Sequence, residues 1–436
     1  MNILNTLTLL AGLFIIACSS PKKETPEEPA MKTSLIADTD NGGITLPDGF
    51  GAIVAADTLG RAGHMVTKPN GDLIVQLRDA KNGIGILAMR DSDEDGKFEM
   101  KETFSGVAGT GLGIYNDYLY ASSDTSVHRF RLTNNSLLPD TTGELIISGY
   151  PKQSQHDTKS LTFDGQGHIY VNIGAPSNAC MEKVRTPGSP GMDPCPLLEH
   201  HAGIWQYNAN TPNQDAYADG NRYATGLRNV VALDWNSADN TLYAVQHGRD
   251  QLNQFFPDMY TTEQSAELPS EEFFRLPEGS NGGWPYCYYD GQKEKKVLMP
   301  EYGGDGEMVT EKCEDKTLPI MSFPGHVAPN DLLFYTGDMF PEKYRGGAFI
   351  AFHGSWNRGP HDQYGFFVVF VPFTNGNISG DYEIFASGFV GPEPVKSPGD
   401  ALYRPCGLAM APDGSLYISE DQKGRIWRVI YNGTGT

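Results

Sequence analysis

The segment DSDEDGKFEMKE, Asp91 to Glu102, sets carboxylates at alternating positions around a glycine. Asp91, Asp93, Asp95 and Glu102 fit the spacing D-x-D-x-D-G-x5-E, in which alternating carboxylates converge on one hard cation, Gly96 allows the sharp turn and the last Glu closes the shell. The sequence around it shows no helical flanks, so the expectation is a structural calcium loop between strands. Seven further stretches carry polar residues that a core does not need. They are QHDTKSLTF with His156, GLRN with Arg228 and Asn229, QHGRD with Gly248 and Arg249, NGGWPYCY with Trp284, GHVAPND with His326, FHGSWNR with Arg358, and YRPCGL with Arg404. Singly, each has a structural reading: a satisfied histidine at a strand end, a loop-anchoring arginine, a tryptophan at a core corner. Chemistry follows only if the fold brings them together.

The elements that could do so are strands. The chain shows short alternating β-rich runs between turn residues and almost no helical periodicity. One phrase recurs, a Gly/Asn/Asp turn followed by an apolar-aromatic-apolar strand, at 69–77, 115–123, 164–174, 237–248, 344–354 and 412–421. Several copies are followed by a second strand such as GILAMRD, GIWQYN or RIWRVIYN. Six copies at this mean spacing, with insertions after the third, fourth and fifth, predict an all-β fold, a six-bladed β-propeller; a sandwich with similar turns is the alternative. In a propeller, loops from different blades converge at the axis. Gln76, Ser123, Ile173, His247, His353 and Glu420 stand near the ends of the repeated strands, which are expected to border the channel.

A formal net charge of -21 over 436 residues leaves no basic surface for phosphates and excludes nucleic acid as a partner. Leu7 to Ala17 form a short apolar run ending before Cys18. It is too short to span a bilayer comfortably and has the length of a signal-peptide core. Ile-Ile-Ala-Cys resembles a bacterial lipobox, so residues 1–17 are read as a lipoprotein signal peptide. Residues 18–40, polar and Pro-rich at their start, are read as a lipidated Cys and flexible tether. The folded domain is then 41–436, extracytoplasmic and anchored to a membrane, with the bacterial outer membrane expected. In an oxidising compartment Cys180 with Cys195, and Cys287 with Cys313, would each close a loop, leaving Cys406 as a buried free thiol. No CxxC spacing suggests a cysteine zinc site.

Together and in this order, GLRN, HGR followed by GGWPYCY, FHGSWNR and RPCGLAMAPDGSLYISED resemble the soluble pyrroloquinoline quinone (PQQ)-dependent sugar dehydrogenases. The likeness is to the branch holding sorbosone dehydrogenase-like proteins and pyranose dehydrogenase, more distantly to soluble glucose dehydrogenase, and runs from about Leu46 to Tyr431. That family is a six-bladed propeller with PQQ and calcium over its channel. The resemblance implies His156 as general base and Arg228 and Asn229 at the quinone edge. It also implies Gly248 and Arg249 as main-chain ligands of the PQQ-bound calcium, Arg404 on PQQ carboxylates, Trp284 beside the cofactor, and His326 and Arg358 as further contacts. Three positions depart: a polar Gly-Gln-Asn segment reads AGTGLG here, where Thr110 is the substitute; the family's loop lysine has only Lys316 as a stand-in; and a second arginine is replaced by Leu402.

The chemistry so implied is oxidation of a sugar hydroxyl. A neutral histidine accepts the hydroxyl proton, a calcium-polarised quinone takes the hydride, and Arg228 stabilises charge growing on the quinone oxygen. With no CxxCH haem motif in the chain, the electrons must go to an external acceptor, a quinone or a cytochrome. Two other classes stay open: a gluconolactonase-like, calcium-dependent propeller hydrolase, which calls for acidic inner strand ends, and a non-catalytic propeller lipoprotein that binds a glycan or partner.

Overall fold

Turn-flanked runs of Val, Ile, Phe and Tyr are too short for helices and alternate with the pleat, so they pair as antiparallel meanders. A computed structural model of the chain describes residues 35–433 except 105–106 and 134–135; the signal-peptide run and Cys18 lie outside them. Six antiparallel four-stranded units follow one another along the chain, the second and third each extended by a two-residue fifth strand, Gln214–Asp215 and Ser280–Asn281. The first is Ala62–Thr67, Leu73–Lys81, Ile84–Arg90 and Met100–Phe104, and the second Gly111–Tyr115, Tyr118–Ser122, Ser126–Arg131 and Glu144–Ser148. The third is Leu161–Phe163, His168–Ile173, Gly203–Asn208 and Asn221–Thr225, and the fourth Val230–Asn236, Thr241–Gln246, Glu271–Leu276 and Met321–Phe323. The fifth is Pro329–Phe334, Ala348–His353, Phe366–Val371 and Glu383–Ala386. The sixth is Pro405–Met410, Leu416–Glu420 and Ile426–Tyr431, completed by the N-terminal strand Phe50–Ala56. That strand runs antiparallel to the last, Phe50 opposite Tyr431, so the ring is closed by pairing its two ends and leaves no open seam.

The fold is the expected six-bladed β-propeller. The repeated phrase is the second strand of every blade; the innermost strands are the preceding ones, which face each other around the axis and line a cavity of about 190 Å3 with residues of all six blades. Residues at the ends of the phrases therefore stand one strand back from the axis, and most are structural. Buried Gln76 donates to the carbonyls of Val107 and Ser122 and accepts from Gly111 N, and Glu420 accepts backbone N–H groups from 422 to 425.

Apolar side chains fill the gaps between consecutive blades. Phe349, Phe370 and Trp427 pack where the fifth meets the sixth, and Ile204, Leu242 and Phe274 where the third meets the fourth. One correction concerns a boundary. The tether does not extend to residue 40, because Asp38 N donates to Ala52 O at 2.9 Å and Asp38 Oδ2 accepts from Val54 N at 2.8 Å, which seats this stretch on the first strand. The insertions that follow the second strand of blade three and the third strand of blade four are ordered loops on one face of the ring, tied by the disulfides Cys180–Cys195 and Cys287–Cys313. Cys406 is free and buried, as expected. Among the described residues no helix is long and apolar enough to cross a membrane.

Candidate active site

On the face bearing these loops, the connections that enter the first strands of blades three, four and five meet those leaving the second strands. They enclose a cavity of about 190 Å3 lined by His156, Arg185, Arg228, His247, Gly248, Asp250, Glu271, His326, Ala328, Trp356 and Asn357. Four predicted site residues thus share one well: His156, Arg228, Gly248 and His326. The basic pair on which the functional reading depends lies on a single side of the molecule.

His156 sits in the left-handed region at φ 52, a conformation held by its surroundings. Its Nδ1 lies 2.5 Å from the Ala175 carbonyl. A carbonyl can only accept, so Nδ1 carries the proton and Nε2 is left as a lone pair. Ala175 N in turn donates to Arg228 O at 2.8 Å, linking the two connections. Gly174 makes this approach feasible: a Cβ there would stand 2.6 Å from Asn229 Oδ1, 2.7 Å from His156 Cβ and 2.8 Å from His156 O. Burial, and secondarily the Arg228 charge, push the imidazole down to about 3, so it is neutral at pH 7.

Arg228 is a fixed charge. One NH2 donates to Asp250 Oδ2 at 2.9 Å and to Asn178 Oδ1 at 3.0 Å, and NH1 donates to Gly248 O at 2.6 Å. Its buried Nε has no partner among the described residues. Asp250 also accepts from Arg185 at 2.9 Å and from Asn357 Nδ2 at 2.8 Å. Burial raises the Asp250 carboxyl, but Arg228, His326 and Arg185 more than offset it and hold the group well below the usual carboxylate range. Glu271, buried and accepting from Gly248 N at 2.7 Å, is instead pushed by burial up to about 8. The Gly248 carbonyl and the Asp250 and Glu271 carboxyls are oxygen donors of the type a hard divalent cation takes. The orphaned Arg228 Nε is a donor suited to an electronegative ligand atom.

The other predicted residues do not line the well. Arg404 donates to the carbonyls of His353 and Gly354, at 2.9 and 2.5 Å, and Arg358 to Ala266 O and Glu267 Oε1, both at 2.5 Å; each guanidinium anchors loop backbone or a loop carboxylate. Arg249 turns into the core to pair with Glu301 at 2.5 Å. Trp284 buttresses the site from behind, its Nε1 donating to Asn178 O at 3.0 Å. Asn229 is buried against Gly174. Lys316 pairs with its neighbour Asp315 and lines a separate pocket with Trp284. Sequence reasoning passed over Arg185, Asp250, Glu271, Trp356 and Asn357, although Asp250 closes the QHGRD stretch and Trp356–Asn357 sit inside FHGSWNR.

The acidic loop is a second candidate centre. Ligand atoms of Asp91, Asp93, Asp95 and Glu99 lie within 4.8 Å of one another. Glu102 is not among them. The chain enters a strand at Met100, so Glu102 pairs opposite Ala88 and faces away, whereas a helical exit would have returned it to the loop.

The TrAA12-like family model matches residues 44–432. A relative, the pyrroloquinoline quinone-dependent pyranose dehydrogenase of Coprinopsis cinerea, is 26% identical over 287 residues, 55% of this chain and 36% of the relative, so the chain spans about a third of that protein's length. The PQQ domain of the Coprinopsis cinerea pyranose dehydrogenase superposes with a TM-score of 0.70 at 18% identity, covering 89% of this chain and 97% of that domain. The calcium structure of the Trichoderma reesei carbohydrate-active enzyme of family AA12 superposes at 0.72 with 20% identity, covering 92% and 99%. The structural likenesses establish a common propeller fold, and with the family model matching nearly the whole described domain, the chain belongs to the TrAA12-like family.

Proposed function

We propose that this protein is an oxidoreductase that removes two electrons from a sugar hydroxyl, with PQQ and calcium as cofactors, His156 as base and Arg228 as fixed electrostatic partner. The observation that carries the reading is the tautomer lock at the well: Nδ1 bonded to Ala175 O leaves Nε2 of His156 as a proton acceptor in the cavity that Arg228 also lines. The residues fit the cofactors. Arg228 Nε is a buried donor lacking an acceptor, Arg185 adds a second cation, and Gly248, Asp250 and Glu271 offer oxygens to calcium. When bound there, calcium-polarised PQQ supplies the two-electron acceptor for the hydrogen leaving carbon.

The protein's part is positional and electrostatic. Nε2 accepts the hydroxyl proton as the C–H bond breaks. Burial and Arg228 disfavour the imidazolium, so the proton passes on to solvent readily. Negative charge bound beside Arg228 offsets the second of these causes and lifts the base toward its ordinary range. Arg228, tied to Asp250, Asn178 and Gly248, cannot relax away, and fixed donors of this kind are worth about 3 kcal/mol. Electrons then leave to an external quinone or cytochrome. Two disulfides agree with an oxidising compartment, in keeping with export and anchoring at Cys18.

The test is reconstitution of purified protein with PQQ and calcium, followed by aldoses and an artificial dye. Dye reduction that requires PQQ and falls at least ~100-fold in His156→Ala supports the proposal. Lactone hydrolysis without PQQ would instead mark a hydrolase, and absence of PQQ binding a non-catalytic propeller.

A further inference from the structure

His156 stands in a stretch that no sheet holds. Residues 151–159 join the last strand of blade two to the first strand of blade three, and among the described residues none of their main-chain groups bonds to another main-chain group. This stretch nevertheless keeps a non-glycine residue at φ 52 and aims one ring nitrogen into the well. Its backbone groups must therefore find side-chain partners. Gln153 supplies most of them. Its Nε2 donates to Gln155 O at 2.7 Å, to His156 O at 2.6 Å and to Gly174 O at 3.0 Å, so two N–H groups serve three carbonyls. Its Oε1 is buried and has no hydrogen-bond partner among the described residues. Turning the amide over would set that oxygen against three others, so the sequence of acceptors around it permits one orientation and leaves one acceptor unmet.

The result is a clamp with two arms. Gly174 and Ala175 leave the second strand of blade three, which ends at Ile173. The His156 ring bonds Ala175 O through Nδ1 at 2.5 Å, and the His156 main chain is joined through Gln153 to Gly174 O. Ring and main chain are thus tied to adjacent residues of one strand exit, which fixes where Nε2 points. The other side-chain bonds to this stretch fall elsewhere. Lys159 Nζ donates to Asp157 O at 2.6 Å, Asn172 Nδ2 to Thr158 O at 3.4 Å and Arg185 Nε to Gln155 Oε1 at 3.4 Å. None of these three reaches the main chain of His156. We infer that Gln153 is the positioning residue of the base: by gathering the carbonyls of Gln155, His156 and Gly174 it sets the direction from which Nε2 meets the substrate hydroxyl. It does not line the well and acts through His156. This inference rests on the reading of His156 as the base and deepens it.

The test reads the ring apart from turnover. In the cofactor-free protein His156 is neutral at pH 7, so nitrogen-15 NMR shifts tell which ring nitrogen holds the proton, and His156→Ala assigns the signals. The wild-type protein should show the proton on Nδ1. Gln153→Met removes the donors at nearly constant length. Gln153→Asn keeps the amide but draws it back by one carbon, a milder change should the first impair folding. In both, the form protonated on Nε2 should appear beside the Nδ1 form. PQQ-dependent kcat should fall, by at least ~10-fold in Gln153→Met, with KM and PQQ affinity nearly constant. A ring signature unchanged in the folded variants, with kcat falling only as far as the folded fraction does, overturns the inference, and so does wild-type kcat in Gln153→Met. If the signature shifts as expected while the wild-type protein shows no PQQ-dependent oxidation, the enzymatic reading fails and the clamp stands.

Discussion

Gly174→Ala tests whether the position of His156, and not merely its presence, makes the site. The added methyl would meet Asn229 Oδ1 at 2.6 Å, His156 Cβ at 2.7 Å and His156 O at 2.8 Å. Non-bonded carbon contacts settle near ~3.5 Å or beyond, so something must retreat by about 0.8 Å or more. Asn229 is buried, and a Cβ and a main-chain oxygen cannot swing aside as a long side chain would. The retreat therefore falls on the His156 backbone, which already sits at φ 52. Overpacking of this sort costs about 1–3 kcal/mol of stability, and a displacement near 1 Å at a catalytic group can cost ~100-fold in turnover. Thermal unfolding would register a drop of a few degrees, and PQQ-dependent dye reduction a fall in kcat larger than any change in KM. Wild-type kcat together with a wild-type melting temperature would refute the argument, because it would mean that the His156–Gly174 approach constrains nothing.

Other outcomes can be checked independently. With the His156 imidazole depressed to about 3, the unfolded chain binds a proton the native cofactor-free protein does not, so His156 contributes stability near pH 7 that is lost as pH falls from about 6.5 toward 3. An imidazole NMR titration of the cofactor-free protein should show His156 neutral at pH 5, and a midpoint near 6.5 would contradict the desolvated site. The loop disulfides enclose sequence separations of 15 and 26 residues, and replacing either pair by serine should remove about 3 kcal/mol in the chain-entropy view; an unchanged unfolding midpoint would contradict it. For the acidic loop, Glu99→Gln is expected to weaken calcium affinity by at least ~10-fold and Glu102→Gln to leave it nearly unchanged; calorimetry giving the reverse order would restore the helical-loop spacing.

Glu102 also shows where legibility in the sequence ended. The alternation of carboxylates around Gly96 is local and readable, but which glutamate closes the shell depends on whether the chain leaves as helix or strand. The strand beginning at Met100 decides it in favour of Glu99. The propeller was readable for the complementary reason. Each blade repeats one turn and one buried strand, and a pattern repeated six times survives local exceptions. That the phrase marks the second strand was not readable, since a repeated turn and strand does not say how many strands of its blade stand before it.

Arginines were the least legible residues of the site. Arg228, Arg249, Arg358 and Arg404 all stand in polar stretches beside glycine, histidine or proline, and sequence offers no way to tell a guanidinium aimed at a ligand from one aimed at a loop. The structure separates them by what each has left over. Arg404 and Arg358 give their N–H groups to main-chain carbonyls and a loop carboxylate, and Arg249 is paired inside the core with Glu301. Arg228 alone of the four lines the well. The three anchors still serve the site, because five donors per guanidinium can fix loops that lack regular hydrogen bonding. Arg404 binds the backbone at 353–355, immediately before Trp356, and Arg358 secures the chain just after Asn357. The stretch FHGSWNR is thus clamped on both sides of Trp356 and Asn357, which line the well. An arginine that never touches substrate can in this way govern how a sugar is presented, and replacing Arg404 by lysine, which cannot span the carbonyls of His353, Gly354 and Ser355 at once, should raise KM while leaving the His156 tautomer lock intact.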